Sequence, residues 1–246
     1  MTPIIILALI AVVALLLFLL MRRIRAGTTV LLRPLPGYTG LRSQIGKAIE
    51  SGSQMHVTLG KASLVSDASP TSLSAITVLD YLSKDTCNNA TPPLATVGEG
   101  TLLPAAQASI YGAYRQAGNT EQFDTTAAQF VASDNDSIAY AGGVGSLIHQ
   151  EKVTSNIVMG HLGGELAIIT EAASRKGLEQ VIGSDDPSAL AIATAVSENP
   201  LIGEELLVSG AYLEGGPAQL ASLQVQDILR WIIALIILIT ALMQLI

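Results

Sequence analysis

The sequence predicts an α/β domain with a mainly parallel sheet, tethered at each end by a membrane-spanning helix. Three observations predict it. The 246-residue chain opens and closes on long uncharged apolar runs. Between them, five short apolar runs each end in glycine or another small residue and lead into a stretch of helical periodicity. The middle holds about 200 residues, the size of one substantial domain.

The first run, "PIIILALIAVVALLLFLL" at residues 3–20, is 18 residues without a charge, close to the roughly 20 a spanning helix needs. Arg22, Arg23 and Arg25 follow it and nothing basic precedes it, the reverse of a cleavable signal sequence. A retained span over residues 3–21 is expected, with its N-terminus outside and residue 22 onward in the cytoplasm, because basic residues stay on the cytoplasmic side. The second run, "WIIALIILITALMQLI" at residues 231–246, follows Arg230 and begins with Trp231, a residue suited to the headgroup level. Both termini are thus expected outside and the central domain inside. From Pro217 onward no further proline and no glycine intervenes, so residues 217–246 predict one helix about 45 Å long that enters the membrane. At the other end the strand-like "TTVLLRPLPG" starts only two residues after Arg25, so both tethers are short.

The five runs are "MHVTLG", "PLATVGEG", "QFVASD", "NIVMG" and "EQVIGSD". Their bends at Gly60, Gly98, Ser133, Gly160 and Gly183 are 38, 35, 27 and 23 residues apart, room for strand, helix and strand but too uneven for a solenoid. Residues 27–216 therefore predict a Rossmann-like three-layer sandwich with right-handed crossovers. Within it, residues 163–176 place Leu162, Leu166, Ile169 and Ala173 on one stripe and close on Arg175, Lys176 and Gly177. In "SDDPSALAIATAVSEN", Asp185 or Asp186 caps a helix whose first position is Pro187 and which runs to about Glu198. "SPTSLSAITVLDYLSK" repeats the pattern with Ser69 and Pro70 and ends near Lys84, while "LIGEELLVSGAYLEGG" after the last strand reads as helix-rich.

Ligands of such sheets bind beyond the carboxyl ends of the strands, and a helix N-terminus there attracts anions. The bend "GHLGGEL" holds Gly160, His161, Gly163 and Gly164 at that place and is the candidate cofactor-binding segment. Its spacing, G-x-x-G-G, departs from the dinucleotide fingerprint, and Glu165 brings a carboxylate where a phosphate would sit. The plainer reading is close strand-to-helix packing with Glu165 on the helix dipole. "AGGVGS", with Gly142, Gly143 and Gly145, reads as a kink or a close helix contact. His161 stands where a catalytic base could, beside an acidic rim of Glu99, Asp134, Asp136, Asp185 and Asp186. Those acids suit N-caps better than a divalent cation.

His56, in a strand, and His149, near a helix end, lack neighbours at zinc-ligand spacing. No nucleophile elbow, phosphate-binding lysine motif or metal-carboxylate pair occurs, so neither a catalytic set nor a cofactor is expected. Cys87, the lone cysteine, cannot form an internal disulfide and falls in a polar stretch, "DTCNNATPP". The net charge of −7 leaves an acidic domain body, which excludes nucleic acid as a partner. Aromatic content is only 4%, and small residues fill the helices, which favours close packing of helices and of copies.

The two terminal anchors, with "NIVMGHLGGELAIITEAASRKG" and "NPLIGEELLVSGAYLEG" between them, resemble a family of bacterial membrane proteins that carries a domain of unknown function. The resemblance implies the architecture and assigns no activity, so it carries over no site residues. The expected role is a scaffold subunit of a homo-oligomeric membrane assembly, with the lipid bilayer and further copies as partners. A ligand-binding or enzymatic domain using the strand-end crevice, and an accessory subunit among other membrane subunits, are the alternatives.

Overall fold

The computed structural model describes residues 2–133 and 135–245. The chain divides into two compact units, one of Pro34–Ser209 and one of the residues on either side.

In the flanking unit, helix α1 (Thr2–Arg25) and helix α10 (Pro217–Leu245) pack against each other. Both are long and apolar enough to cross a membrane, and almost all of their apolar side chains are exposed. Arg22, Arg23 and Arg25 form the last turn of α1, and Arg230 pairs with Asp227 at 3.3 Å immediately before Trp231. The single hydroxyl in the apolar part of α10, on Thr240, donates back to the carbonyls of Ile236 and Ile237, so it adds no unsatisfied polar group to an apolar surface.

The Pro34–Ser209 unit alternates helix and strand throughout. Its elements are α2 (Pro36–Ser51), β1 (Gln54–Thr58), α3 (Ser69–Asn88), β2 (Leu94–Val97), α4 (Leu102–Gln116), β3 (Ala128–Phe130), α5 (Ser137–Gln150), β4 (Val153–Met159), α6 (Leu166–Arg175), β5 (Glu179–Ser184), α7 (Pro187–Val196), β6 (Leu201–Ile202) and α8 (Glu204–Leu207). A further turn of helix, α9 (Ser209–Leu213), begins at its end. All six strands are parallel, in the order β3-β2-β1-β4-β5-β6. Helices α2, α3 and α4 lie on one face and α5, α6 and α7 on the other. This is the doubly wound Rossmann order, and its direction reverses between β1 and β4.

The five predicted runs each form a strand, β1 to β5. The predicted stripe is fully buried, with Leu166, Ile169 and Ala173 on α6 and Leu162 in the bend before it, and with Tyr140, Val144 and Ile148 of α5 and Val158 and Ile182 of the sheet it makes the core of one face. Gly143 and Gly145 lie inside α5, where an added Cβ would stand 2.3 Å from Val131 and 3.3 Å from Ala172, so these glycines serve close packing.

Five expectations fail in detail. "TTVLLR" forms no strand, and the chain enters α2 at Pro36, a residue suited to a first turn. Residues 201–202 of the helix-rich stretch pair with Gly183 and Ser184 as a sixth strand. Helix α7 ends at Val196, two residues short, since Ser197 turns extended ahead of Asn199 and Pro200. Ser69 is the first residue of α3 and not its cap. Helix α3 also runs four residues past Lys84, which places Cys87 in its last turn. The thiol is fully buried there, and burial pushes its pKa up to about 12, so it is an inert packing group and not a loop nucleophile.

Candidate functional site

The crevice that a doubly wound sheet offers a ligand lies beyond β1 and β4. Here the chain closes it. Gly60 and Gly160, the residues just past the two strands, both have positive φ, +78° and +149°. Their backbones touch: a Cβ on Gly160 would fall 2.3 Å from the Leu59 carbonyl oxygen, and one on Gly60 would fall 2.8 Å from the backbone of His161. Lys61 N–H donates across the gap to the His161 carbonyl at 3.1 Å, and Gly98 N–H donates to the Gly60 carbonyl at 2.9 Å. The three loops thus continue the sheet's hydrogen bonding one step past its strands.

The rest of the crevice holds an ion pair. Lys61 Nζ stands 2.8 Å from Glu165 Oε1 with both side chains only 7% exposed, and it donates to Ser137 Oγ at 2.6 Å. The same Glu165 oxygen accepts the Gly163 N–H at 3.0 Å. Burial alone would raise the Glu165 carboxyl, but the Lys61 ammonium and the backbone N–H groups outweigh it and hold the pKa below the usual value. Of the candidate glycines, Gly160 gives close backbone approach and Gly163 gives its N–H to Glu165. Gly164 faces open space. The helix start that would meet a phosphate is met by the chain's own carboxylate.

His161 points elsewhere, to the rim. Its Nδ1 lies 2.7 Å from Asp185 Oδ1, and Asp185 Oδ2 accepts the Thr71 hydroxyl at 2.8 Å. A carboxylate oriented by a hydroxyl and bonded to one imidazole nitrogen leaves the other nitrogen able to act as a base. The remaining acids of the rim serve the chain locally. Glu99 accepts the Thr101 N–H at 2.7 Å, and Asp136 caps α5 through Ala139 N–H at 3.1 Å. Asp186 caps α7 through Ser188 and Ala189 N–H, and bonds from Ser188 depress its pKa first of all. Asp134 lies outside the described residues. Among the described residues, no three His, Cys, Asp or Glu side chains gather as a metal cluster. Replacing Asp186 by alanine removes the α7 cap and is expected to lower unfolding free energy by about 1 kcal/mol, read from urea denaturation followed by far-UV circular dichroism.

Beneath the crevice runs a polar row through the core. His56 on β1 faces Asn156 on β4, which faces Gln180 on β5. His56 Nδ1 lies 2.7 Å from Asn156 Oδ1, and Asn156 Nδ2 donates to Gln180 Oε1 at 3.1 Å. Gln180 Nε2 ends the row on Ser174 Oγ at 2.9 Å. On the other side His56 Nε2 meets Thr96 Oγ1 at 3.0 Å, and the Thr96 hydroxyl meets Thr58, which meets the Tyr140 hydroxyl. The Asn156 oxygen can only accept, so Nδ1 carries the proton and Nε2 accepts from Thr96. Both nitrogens are satisfied by a neutral ring, and burial lowers the His56 pKa to about 4 against the Asn156 bond that raises it. Sequence reading placed His56 on a strand without finding this row. The polar alternation of Gln54, His56 and Thr58 in "QMHVT" was the available signal, as Lys61 directly after Gly60 was for the ion pair.

The family model described as a domain of unknown function (DUF6754) matches residues 2–246. No curated protein and no solved structure matches the chain.

Proposed function

We propose, for a chain that belongs to the DUF6754 family over residues 2–246, a role as a membrane-anchored scaffold subunit that assembles with copies of itself and performs no catalysis. One observation carries this reading: the crevice in which the fold takes its ligands is filled by the chain's own backbone and by the buried Lys61–Glu165 pair. The two terminal helices are taken as spans. The arginines in the last turn of α1, and Arg230 with Trp231 at the start of the second apolar run, support a reading with both termini outside and the domain in the cytoplasm. Light scattering of the complex extracted in mild detergent, with the detergent contribution subtracted, is expected to give a discrete multiple of 25.6 kDa. A monomer at every concentration overturns the reading.

A second reading is favoured by the Thr71–Asp185–His161 arrangement, which gives the rim an oriented base and so suits a ligand at the strand ends. Under it, nucleotides or divalent cations shift the thermal unfolding of the chain and His161→Ala removes the shift. No response to any of them leaves the scaffold reading alone.

A further inference from the structure

Charge is sorted between the two units of the chain. The flanking unit, residues 1–33 and 210–246, carries Arg22, Arg23, Arg25, Arg33 and Arg230 against Glu214 and Asp227, a net +3. Of the chain's −7, the Pro34–Ser209 unit therefore carries −10. The kind of cation is sorted too. All five lysines fall in the Pro34–Ser209 unit, and every basic residue of the flanking unit is arginine. Orientation in a bilayer counts charge, so lysine would serve it equally. Arginine adds a planar fork of N–H donors that matches two phosphate oxygens at once.

Arg22, Arg23 and Arg25 crowd into the last turn of α1, within about 5 Å along its axis and just past the apolar run that ends at Leu20. All three are exposed, and none has an ion pair or a side-chain hydrogen bond among the described residues. They are not needed to finish the helix. The Ala26, Gly27 and Thr28 N–H groups donate to the carbonyls of Arg22, Ile24 and Arg23 at 3.1, 3.0 and 3.4 Å, and Gly27, at φ +99°, makes the reversal. Nor does Asp227 offer them a partner, since it pairs with Arg230. A helix that spans the bilayer over its apolar run sets these three guanidinium groups at the level of the lipid phosphates. The phosphate of a zwitterionic lipid is balanced by that lipid's own ammonium, whereas the phosphate of an anionic lipid is not.

We propose that the last turn of α1 is a binding site for an anionic phospholipid, whose headgroup phosphate is held by Arg22, Arg23 and Arg25. The inference rests on reading α1 as a span and holds whether or not copies associate.

The test uses the full chain in phosphatidylcholine vesicles that contain a minor fraction of brominated lipid, phosphatidylglycerol in one series and phosphatidylcholine in the other. Trp231 is the only tryptophan, so Trp231→Phe with Met21→Trp leaves a single fluorophore one residue before Arg22. Bromine quenches it on contact, and placing the lipid in both leaflets makes the reading independent of orientation. Each arginine at the surface is worth roughly fivefold, so a preference of at least about tenfold for the anionic lipid is expected. Arg22→Gln, Arg23→Gln and Arg25→Gln together are expected to abolish it. The three lysine substitutions together are expected to lower it severalfold, because the charge stays and the fork is lost. No preference in the chain with its arginines, or a full preference in the lysine variant, overturns the inference. Relief of the quenching by inorganic phosphate, at an ionic strength matched with chloride, overturns it too, because the site then takes a free anion. Release of the chain from the vesicles by alkaline carbonate removes the span reading itself. Retention without preference removes the lipid site alone.

Discussion

Replacing Lys61 by methionine is expected to destabilise the Pro34–Ser209 unit by about 3–5 kcal/mol, the range for breaking one side of a buried ion pair. The loss comes from the partner left behind. Glu165 is 7% exposed, and without the ammonium its charge keeps only backbone N–H donors such as Gly163. Removing both charges is gentler: Lys61→Met with Glu165→Leu is expected to recover more than half of the loss, because Glu165 no longer leaves a buried charge without its ammonium. Acid should help the single variant alone. A buried carboxylate without its cation has a folded pKa above its unfolded one, so the penalty shrinks as pH falls through the folded pKa and Glu165 takes up a proton. Urea unfolding of the two variants and the unmodified chain at neutral and mildly acidic pH reads all three effects. A single variant that loses under 1 kcal/mol would mean that water, and not protein, surrounds the pair, and the crevice would then be open to a ligand.

The ion pair marks the boundary of what the sequence could reveal. Five strands were legible because each ends at a bend that glycine or serine announces, and the helices between them because Pro70, Asp186, Pro187 and Gly177 punctuate them. Strand β6 was not, because two residues carry no period. "TTVLLR" misled because composition specifies a liking for strand, and pairing depends on whether another strand stands beside it. His161 was readable as a strand-end residue, and Asp185 as its neighbour on the rim. Their bond depends on β4 and β5 being adjacent, which follows from topology and not from spacing. The same holds for Lys61 and Glu165, and for His56 and Asn156, which lie a hundred residues apart in the chain. Sequence reading weighed Glu165 against the glycine bend as a phosphate site. What it lacked was Lys61, the residue that turns this carboxylate from an obstacle at the helix start into the filling of the crevice.

Acid is expected to weaken the fold through His56. The ring is neutral in the folded protein down to about pH 4, whereas in the unfolded chain it takes up a proton near pH 6.5. Between those values the unfolded state binds more protons, so unfolding free energy falls as pH falls from about 6.5 through about 4, and the stability owed to the neutral ring is fully present only above 6.5. At about 1.4 kcal/mol for each tenfold change in proton affinity, the loss over the whole window is roughly 3 kcal/mol. The physical cause is the polar row. Protonating Nε2 would set a second N–H against the Thr96 hydroxyl that now donates to it, and would place a charge at a site with no exposure to water. His56→Gln keeps a donor and an acceptor on the same strand without the titration. It is expected to be less stable at pH 7, since a shorter reach cannot serve Asn156 and Thr96 together, but to lose far less on acidification. The discriminating quantity is the slope of unfolding free energy against pH between 6.5 and 4.5, where the carboxylates common to both chains contribute equally and cancel in the comparison. Equal slopes would show that the folded ring takes up its second proton over the same range as the unfolded chain, with Nε2 then donating to the Thr96 hydroxyl instead of accepting from it.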